Sequence, residues 1–299
     1  MTTFALVGLG AMGQNYLDTL KNIPGAEIRY ICDQNKSLLD KYSTYHKIFD
    51  FKQLAKLKID GVIVATSAAT HFEIVSFFLE RNIPVLVEKP LATNLKDAKQ
   101  LLKINEGTPI LVSHSLLYNP AYLKMKSELG KIGKIKNIKF TGKNNNPRQD
   151  TTVLYDWGPH GVAFILDILA KEPTSIRTIK KNERCFYSVM DFNDECKGII
   201  DISWESIKKI RKFEITGVKG KLIFDDMASK KIKFLDFLKS KTIYPSYSRG
   251  QPLYFEILEF LDAILKKGKI KSDLDFGIKV VSILDQIDRV SSKATKSYL

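Results

Sequence analysis

The sequence predicts an α/β protein in two parts: an N-terminal doubly wound parallel sheet, then an α+β domain built on a large, mostly antiparallel open-faced sheet with flanking helices. Three observations predict it. The 299 residues exceed what one core usually fills, at roughly 150 residues per domain. Over the first 120 residues, short β-branched apolar runs alternate with helical patterns, the rhythm of parallel strands joined by crossover helices. Beyond about residue 130, strands follow one another directly through turns, as in an antiparallel meander. The domains are expected at 1–118 and 119–299, with a C-terminal helix free to pack back on the first.

In chain order, residues 4–7, 27–32, 61–65, 85–87 and 110–113 read as the strands of the first sheet, with helices at 12–21, 72–81 and 94–105 between them. Pro84 and Pro109 stand just before strands, where each ends the preceding element without removing a ladder hydrogen bond. In the second half, 135–141, 184–192, 197–204, 212–216, 221–224 and 231–235 read as strands. Helices are expected at 158–169, 252–267 and 273–292. Val189, Ile200, Ile202 and Trp204 are expected to face both sides of this second sheet, so its outer face must be hidden against something.

Composition narrows the class. With 44% hydrophobic and 27% charged residues the chain matches ordinary globular proteins. No run approaches the ~18 to 20 apolar residues of a membrane helix. No secretory signal is read at the start, and a cytoplasmic protein is expected. Three cysteines without CxxC spacing argue against a disulfide scaffold and a structural zinc site. The net charge of +14 lies in the second half: residues 1–120 carry 13 basic and 11 acidic side chains, residues 121–299 carry 34 and 22. It reads first as a lysine-rich solvated surface, and second as a preference for a phosphorylated substrate. Neither a nucleic-acid nor a membrane partner is expected, because no basic stripe is interleaved with aromatics.

The strongest motif is Gly8-Leu9-Gly10-Ala11-Met12-Gly13, which follows a strand, opens a helix and is answered by Asp33 at the end of the second strand. The first glycine permits a tight turn, the second lets backbone approach a pyrophosphate, and the third brings helix and strand together. The helix N-terminus offers N–H groups to phosphates. Asp33 accepts hydrogen bonds from ribose hydroxyls and repels a 2′-phosphate, so NAD is expected over NADP, with Lys36 close enough to soften the preference.

These residues, the Ala65-Thr66-Ser67 strand end with His71, and Glu88-Lys89-Pro90 after the next strand together resemble the Gfo/Idh/MocA oxidoreductase family. Asp156-Trp157-Gly158-Pro159-His160 is similar to its D-x-x-x-H motif, and Ile215-Thr216-Gly217-Val218-Lys219-Gly220 to a sheet turn usual in its second domain. The matches run from residue 4 to about 292. The segments around His114–Pro120 and from Arg148 to His160 look most like members linked to surface-polysaccharide sugar biosynthesis. The resemblance implies a Rossmann domain binding NAD through Gly8, Gly10, Ala11, Met12, Gly13 and Asp33, with Thr66, Ser67, His71, Glu88 and Lys89. It implies a second domain for substrate binding and assembly into a homodimer or homotetramer through its sheet. Substrate contacts are expected from Lys89, Ser115, Tyr118, Asn119, Arg148, Asp156, Trp157 and His160. The chain departs from the family at Ser115-Leu116-Leu117-Tyr118, where many members carry Asn-Arg-Arg-Phe, so contacts from those arginines are absent. It is also short for the family, which suggests trimmed loops.

The expected chemistry is hydride transfer at a secondary alcohol or ketone of a sugar, with a nucleotide sugar as the finer reading. A hydride leaves carbon only as the hydroxyl proton is removed, so a base must stand within hydrogen-bond reach. His160 is the expected base, made weaker by a helix N-terminus, and Asp156 its orienting partner. Lys89 at a strand's carboxyl end is expected to hold the reacting oxygen. His46 and His114 read as an edge and a pocket-wall residue, and His71 as a helix-start residue under the cofactor. No residue set has metal-ligand spacing. The alternative reading is a catalytically silent nucleotide sensor on the same scaffold.

Overall fold

In the computed structural model Thr2–Val7 (β1) is buried along its whole length, as expected of a strand inside a parallel sheet covered on both sides. The structure describes residues 1–193, 195–266 and 268–296. They form two compact units, residues 1–115 with 251–281 and residues 116–250 with 282 onward.

The first unit continues with Ala11–Leu20 (α1), Ala26–Cys32 (β2), Lys36–Leu39 (α2), His46–Ile48 (β3), Gly61–Val64 (β4), Ala68–Leu79 (α3), Val85–Glu88 (β5), Leu95–Ile104 (α4) and Ile110–Ser113 (β6). All six strands are parallel, in the order β3-β2-β1-β4-β5-β6. This is the doubly wound order in which direction reverses beside β1, the place where such sheets bind ligands at their carboxyl ends. Alternate residues feed opposite cores. Ala5, Val7, Val62, Val64, Val85 and Val87 pack with Phe78 of α3 and Leu101 of α4. Phe4, Leu6, Ile63, Leu86 and Leu111 pack with Leu17 of α1 and with Phe260 from the later part of the chain. The period-2 division, apolar on both faces, explains the continuous apolar runs. The strand β3, only three residues long and at the sheet edge, and the short helix α2 carry too few residues to show a period, and the sequence reading missed them.

The second unit comprises Pro120–Ser127 (α5), Ile135–Lys143 (β7), Val153–Leu169 (α6), Ser175–Asn182 (β8), Cys185–Asp191 (β9), Lys197–Ser203 (β10), Ile210–Gly217 (β11), Gly220–Asp225 (β12), Ile232–Asp236 (β13) and Lys241–Ile243 (β14). Pro252–Ile264 (α7) returns to the first unit, and Leu274–Lys296 (α8) contributes to both. The eight-stranded sheet runs β14-β13-β12-β11-β7-β10-β9-β8. It is antiparallel except at β7–β10, which pair in parallel from Asn137↔Lys197 to Lys143↔Ser203. Two meanders thus flank β7, rather than one meander running throughout.

Its core is aromatic. Phe213 lies 4.1 Å from Phe164 and 4.7 Å from Phe140 between ring centres, and 5.8 Å from Phe224. Such pairs add to area burial when offset or tilted. The helix α6 begins at Val153, five residues before the expected 158. Thr152 caps it, accepting from Tyr155 N–H, and the acidic Asp156 completes the first turn. Gly158 and Pro159 signal a break when read locally, but tertiary packing overrides them. A Cβ on Gly158 would meet Leu284 Cδ2 at 2.7 Å, and one on Gly161 would meet Phe140 Cδ1 at 2.5 Å. The glycines are there so that α8 and the sheet can approach the helix closely.

The expected division between the two faces is seen: Val189 is half-buried on the outward side of β9, opposite Ile199. Ile200 and Ile202 are fully buried and Trp204 nearly so, and in β9 and β10 the outward positions alternate with them. The outer face carries an ionic ladder in its middle, where Asp201 takes Lys143 at 2.6 Å and Lys139 at 3.3 Å, and Glu214 takes Lys221 at 2.6 Å. At the β8–β9 edge the outer face also carries exposed apolar residues, Ile179 at 71% and Tyr187 at 37%.

Candidate active site

The glycine loop is held by geometry that only small residues satisfy. Gly8 has φ +97°, and a Cβ there would stand 2.6 Å from the Ala65 carbonyl oxygen. A Cβ on Gly13 would stand 2.1 Å from Gly8 O, so the helix passes directly over the strand end. Gly10 differs: nothing lies within 4 Å of its Cβ position, and α1 begins there with no side-chain cap. The first N–H groups of a helix have no partner within it, so an uncapped start beneath open space is a cradle for anionic oxygens. Ala11 and Met12 supply the N–H groups next to Gly10.

Asp33 sits where β2 ends. Its Oδ2 accepts from Leu9 N–H and its Oδ1 from Asn35 N–H, both at 2.8 Å. The carboxylate is therefore fixed against the glycine loop by the backbone it faces. Thr66 follows β4, its Oγ1 2.8 Å from Thr70 Oγ1, and Ser67 starts α3 without a side-chain cap. These residues fit a dinucleotide: an open N-terminus for the pyrophosphate and an oriented carboxylate for a ribose.

His71 is the fourth residue of α3, in its first turn, and it is fully buried. Its Nδ1 is 2.8 Å from Pro90 O and its Nε2 3.2 Å from Thr66 O, so the ring spans the two loops that follow β4 and β5. His46 is exposed on β3, its ring 5.4 Å from Tyr30.

Lys89 is half-buried directly after β5, and the Lys89-Pro90 peptide is cis, as the resemblance implies. Beneath it lies a buried polar group that the sequence reading did not assemble. Glu88 accepts from Tyr16 O–H at 2.8 Å and from the Lys89 N–H at 3.3 Å. Ser113, ending β6, has its Oγ 3.1 Å from Oε2 of Glu256 on α7. Burial pushes the Glu88 carboxyl up, opposed by its hydrogen bond from Tyr16 and by the Lys89 charge. Burial, then the charge of Glu88, pushes Glu256 well above the usual carboxylate range. One signal for Glu256 was present: it lies three residues after Leu253 and four before Phe260, on the apolar stripe of its helix. His114 is buried beside Phe276, and neither ring nitrogen has a hydrogen-bond partner among the described residues. Burial first, and the Lys89 charge second, lower it to about 3.

In the second unit, α6 presents Asp156, Trp157 and His160. Asp156 and His160 are four residues apart and share a helix face. Trp204 Nε1 donates to Asp156 Oδ2 at 3.2 Å, a partner that sequence spacing could not reveal. Arg148 grips Asp150 through Nε and Nη2 at 2.9 and 2.6 Å, and reaches Asp156 at 3.7 Å. His160 is the eighth residue of the helix, not its first, so the expected influence of the helix terminus is corrected: that field fades within the first turn. Trp157 is buried against Phe140, its ring 6.0 Å from His160. Ser115 is half-buried, while Tyr118 and Asn119 are buried. Asn119 Oδ1 accepts from Ala121 N–H and caps α5, which gives it a structural task.

Residues 2–114 match the GFO_IDH_MocA model, described as an oxidoreductase family with an NAD-binding Rossmann fold. The 4-carboxy-2-hydroxymuconate-6-semialdehyde dehydrogenase of Sphingobium sp. is 32% identical over 189 residues, 58% of this chain and 59% of that protein. The D-apiose dehydrogenase of Paraburkholderia graminis is 24% identical over 251 residues, 73% of this chain and 66% of that one. The chain therefore spans between half and two thirds of the length of these curated relatives. An oxidoreductase of Agrobacterium radiobacter, solved with NAD+, L-tartaric acid and magnesium, shares the fold. Its TM-score is 0.85 at 19% identity, over 98% of this chain and 97% of that one.

The two kinds of glycine should separate on substitution. Gly13→Ala should lower stability by ~1 to 3 kcal/mol, the usual scale of overpacking, whereas Gly10→Ala should leave the thermal midpoint in place and weaken NADH binding; paired melting and fluorescence titrations check both. His114 gives a pH test. Its folded value lies below the ordinary one near 6.5, so the stability it contributes is complete above that pH and is lost as pH falls toward about 3. His114→Phe should accordingly flatten the decline in thermal midpoint between neutral and mildly acidic buffer, with little change at pH 8.

Proposed function

We propose that this chain, whose residues 2–114 match the Gfo/Idh/MocA oxidoreductase model, is a member of that family that moves a hydride between NAD and a secondary alcohol or ketone of a sugar. The observation that carries the reading lies within the first unit. An uncapped helix start over open space at Gly10 and the ammonium-bearing Lys89 both follow carboxyl ends of the same parallel sheet, at β1 and β5. A binding module for the dinucleotide alone has no need of the second. Bound NAD supplies the acceptor for the hydride. Lys89 Nζ holds the substrate oxygen and favours its alkoxide character, while His160 takes the hydroxyl proton on a ring nitrogen. Asp156, anchored by Trp204, orients the imidazole and binds a neighbouring hydroxyl. Asp33, held from both sides, selects NAD over NADP by its charge.

The sugar class is supported by a relative that is a D-apiose dehydrogenase. The finer substrate, a nucleotide sugar for polysaccharide synthesis, is supported by the segments around His114 and Arg148 and by the basic excess of residues 121–299. Arg148, Trp157, Ser115, Tyr118 and Asn119 are the proposed substrate-side residues, the last two as buried supports. We place the protein in the cytoplasm; none of its described helices is long and apolar enough to cross a membrane. The exposed apolar edge at Ile179 and Tyr187 supports a homodimer or homotetramer through the second sheet. Light scattering at micromolar concentration should give twice or four times the 34.0 kDa of the chain; a monomer excludes this assembly.

The enzyme reading is tested at two residues. Lys89→Met and His160→Asn should each lower kcat by roughly 10²-fold or more, with NADH affinity and thermal midpoint retained, when NADH absorbance is followed against sugars, inositols and nucleotide sugars. Tight NADH binding with no turnover on any substrate would instead support the sensor.

A further inference from the structure

At one end of the second sheet, three connections stand side by side and expose apolar tips among lysines. The β11–β12 turn is bonded on both sides. Val218 N–H donates to Lys134 O at 3.1 Å and Lys219 N–H to Ile132 O at 2.9 Å, while Phe237 N–H, opening the β13–β14 turn, donates to Lys219 O at 3.0 Å. Val218 is 50%, Phe237 48% and Leu238 74% exposed. Lys134, Lys219, Lys239 and Lys241, beside them, are exposed as well. We propose that this end of the sheet is a docking surface for an anionic lipid bilayer, with the apolar tips entering the interface and the lysines meeting the headgroups. The inference goes beyond the hydride-transfer reading and does not depend on it.

Charge and shape together select this partner. Among the described residues Lys219, Lys239 and Lys241 form no ion pair, and Lys134 reaches Glu195 at 3.9 Å. Asp236, the carboxylate of the β13–β14 turn, is committed to backbone: its Oδ1 accepts from Leu238 N–H at 3.0 Å and from Lys239 N–H at 3.1 Å. That bracing holds Phe237 and Leu238 beyond the last ladder pair, Asp236↔Lys241. A stable protein interface buries roughly 800 Å² per partner over a continuous surface, which three turn tips do not offer. Binding to a bilayer scales with the apolar area inserted plus the attraction of anionic lipid, and a few side chains contribute to both. Nucleic acid would match the lysines, but Val218 and Leu238 have no ring on which a base could stack. The sequence reading expects no membrane partner because it finds no continuous basic stripe; this surface is gathered from residues 134, 218–219 and 237–241, which are adjacent only in the fold. The turns lie where β7 starts, whereas Trp204 and its acceptor Asp156 lie past the end of β10, which runs parallel to β7. A bilayer at the turns leaves that other end uncovered.

The test sediments the full chain with vesicles of phosphatidylcholine alone and of phosphatidylcholine mixed with phosphatidylserine, at low and at raised salt. The protein should pellet with the mixed vesicles and not with the neutral ones, and raised salt should weaken binding as the Debye length shortens. The double variant Phe237→Ser, Leu238→Ser should lower partition onto the mixed vesicles by about tenfold, the scale of re-exposing two partly inserted apolar side chains. Lys239→Gln with Lys241→Gln should lower it by about 20-fold, near fivefold for each lysine. Lys208→Gln with Lys209→Gln removes the same charge from the exposed loop at the opposite end of the sheet, and should leave partition unchanged. All three variants should keep the wild-type thermal midpoint and NADH affinity, because the altered side chains are exposed. A protein that pellets with neither vesicle overturns the proposal. Equal losses from the two lysine pairs overturn it too, since net charge and not this surface would then drive binding. A serine variant whose mass by light scattering differs from the wild type, with no vesicles present, makes the turns a contact between copies of the chain and overturns it as well.

Discussion

Because both faces of the six-stranded parallel sheet carry apolar side chains, both must be covered by helices, and the strand ends are the places left for polar chemistry. Everything assigned to the first unit follows from that constraint. The glycine loop follows β1, Asp33 follows β2, Thr66 follows β4, Lys89 follows β5, and His114 follows β6. The loops lie next to one another because their strands do, at ~4.8 Å spacing. The first residue after β2 can then set its carboxylate on the backbone of the short loop after β1, as the Leu9 N–H to Asp33 bond does.

The second unit solves a different problem. Its sheet is covered on one face, and the aromatic layer of Phe140, Phe164, Phe213 and Phe224 fills the space between sheet and helices. Large rings leave little distance for the helix backbone, so α6 has a glycine, Gly161, where it crosses Phe140, and a second, Gly158, where Leu284 comes close. The same close approach fixes the rotation of α6, and hence the face on which Asp156 and His160 stand. The outer face needs no such packing, and its ladder of Lys139, Lys143 and Asp201 keeps the middle of it wet. Partly exposed pairs of this kind contribute little to stability; their effect is to set where the sheet can be apolar.

Under Lys89 the polar atoms are costly to bury: Glu88 is paired, while Glu256 Oε1 and both ring nitrogens of His114 have no hydrogen-bond partner among the described residues. Leaving a carboxyl without a partner in such a place costs more than the hydrogen bond it would have made. Ser113 donates to Glu256 and Tyr16 donates to Glu88, which joins β6 to α7 and α1 to β5 behind the turn. Four elements far apart in the chain are thereby tied in pairs. His114, neutral because burial forbids its cation, adds no charge to this group.

The sequence by itself determined the features whose physics is local. The glycine loop was legible because a tight turn, a close approach and an open helix start each need a particular residue within six positions. Asp33 was legible because it follows the adjacent strand, and Lys89 because a charged residue directly after an apolar strand falls at a sheet's carboxyl edge. The alternation of strand and helix pointed to a parallel sheet for the same reason, whereas the order of its strands came from the structure. What only the tertiary structure decided are contacts between residues far apart in the chain. Gly158 and Pro159 signal a helix break locally, and it is Leu284 and Phe140 that turn neighbouring glycines into an advantage. Ile200 and Ile202 cannot announce which face is inward until β10 has paired with β7, a parallel pairing no meander rule predicts. Glu256 looks like one more acid on a helix until Ser113 and Glu88 are brought beside it. Backbone preference is written residue by residue, but burial and the pairing of polar groups are decided by which surfaces meet.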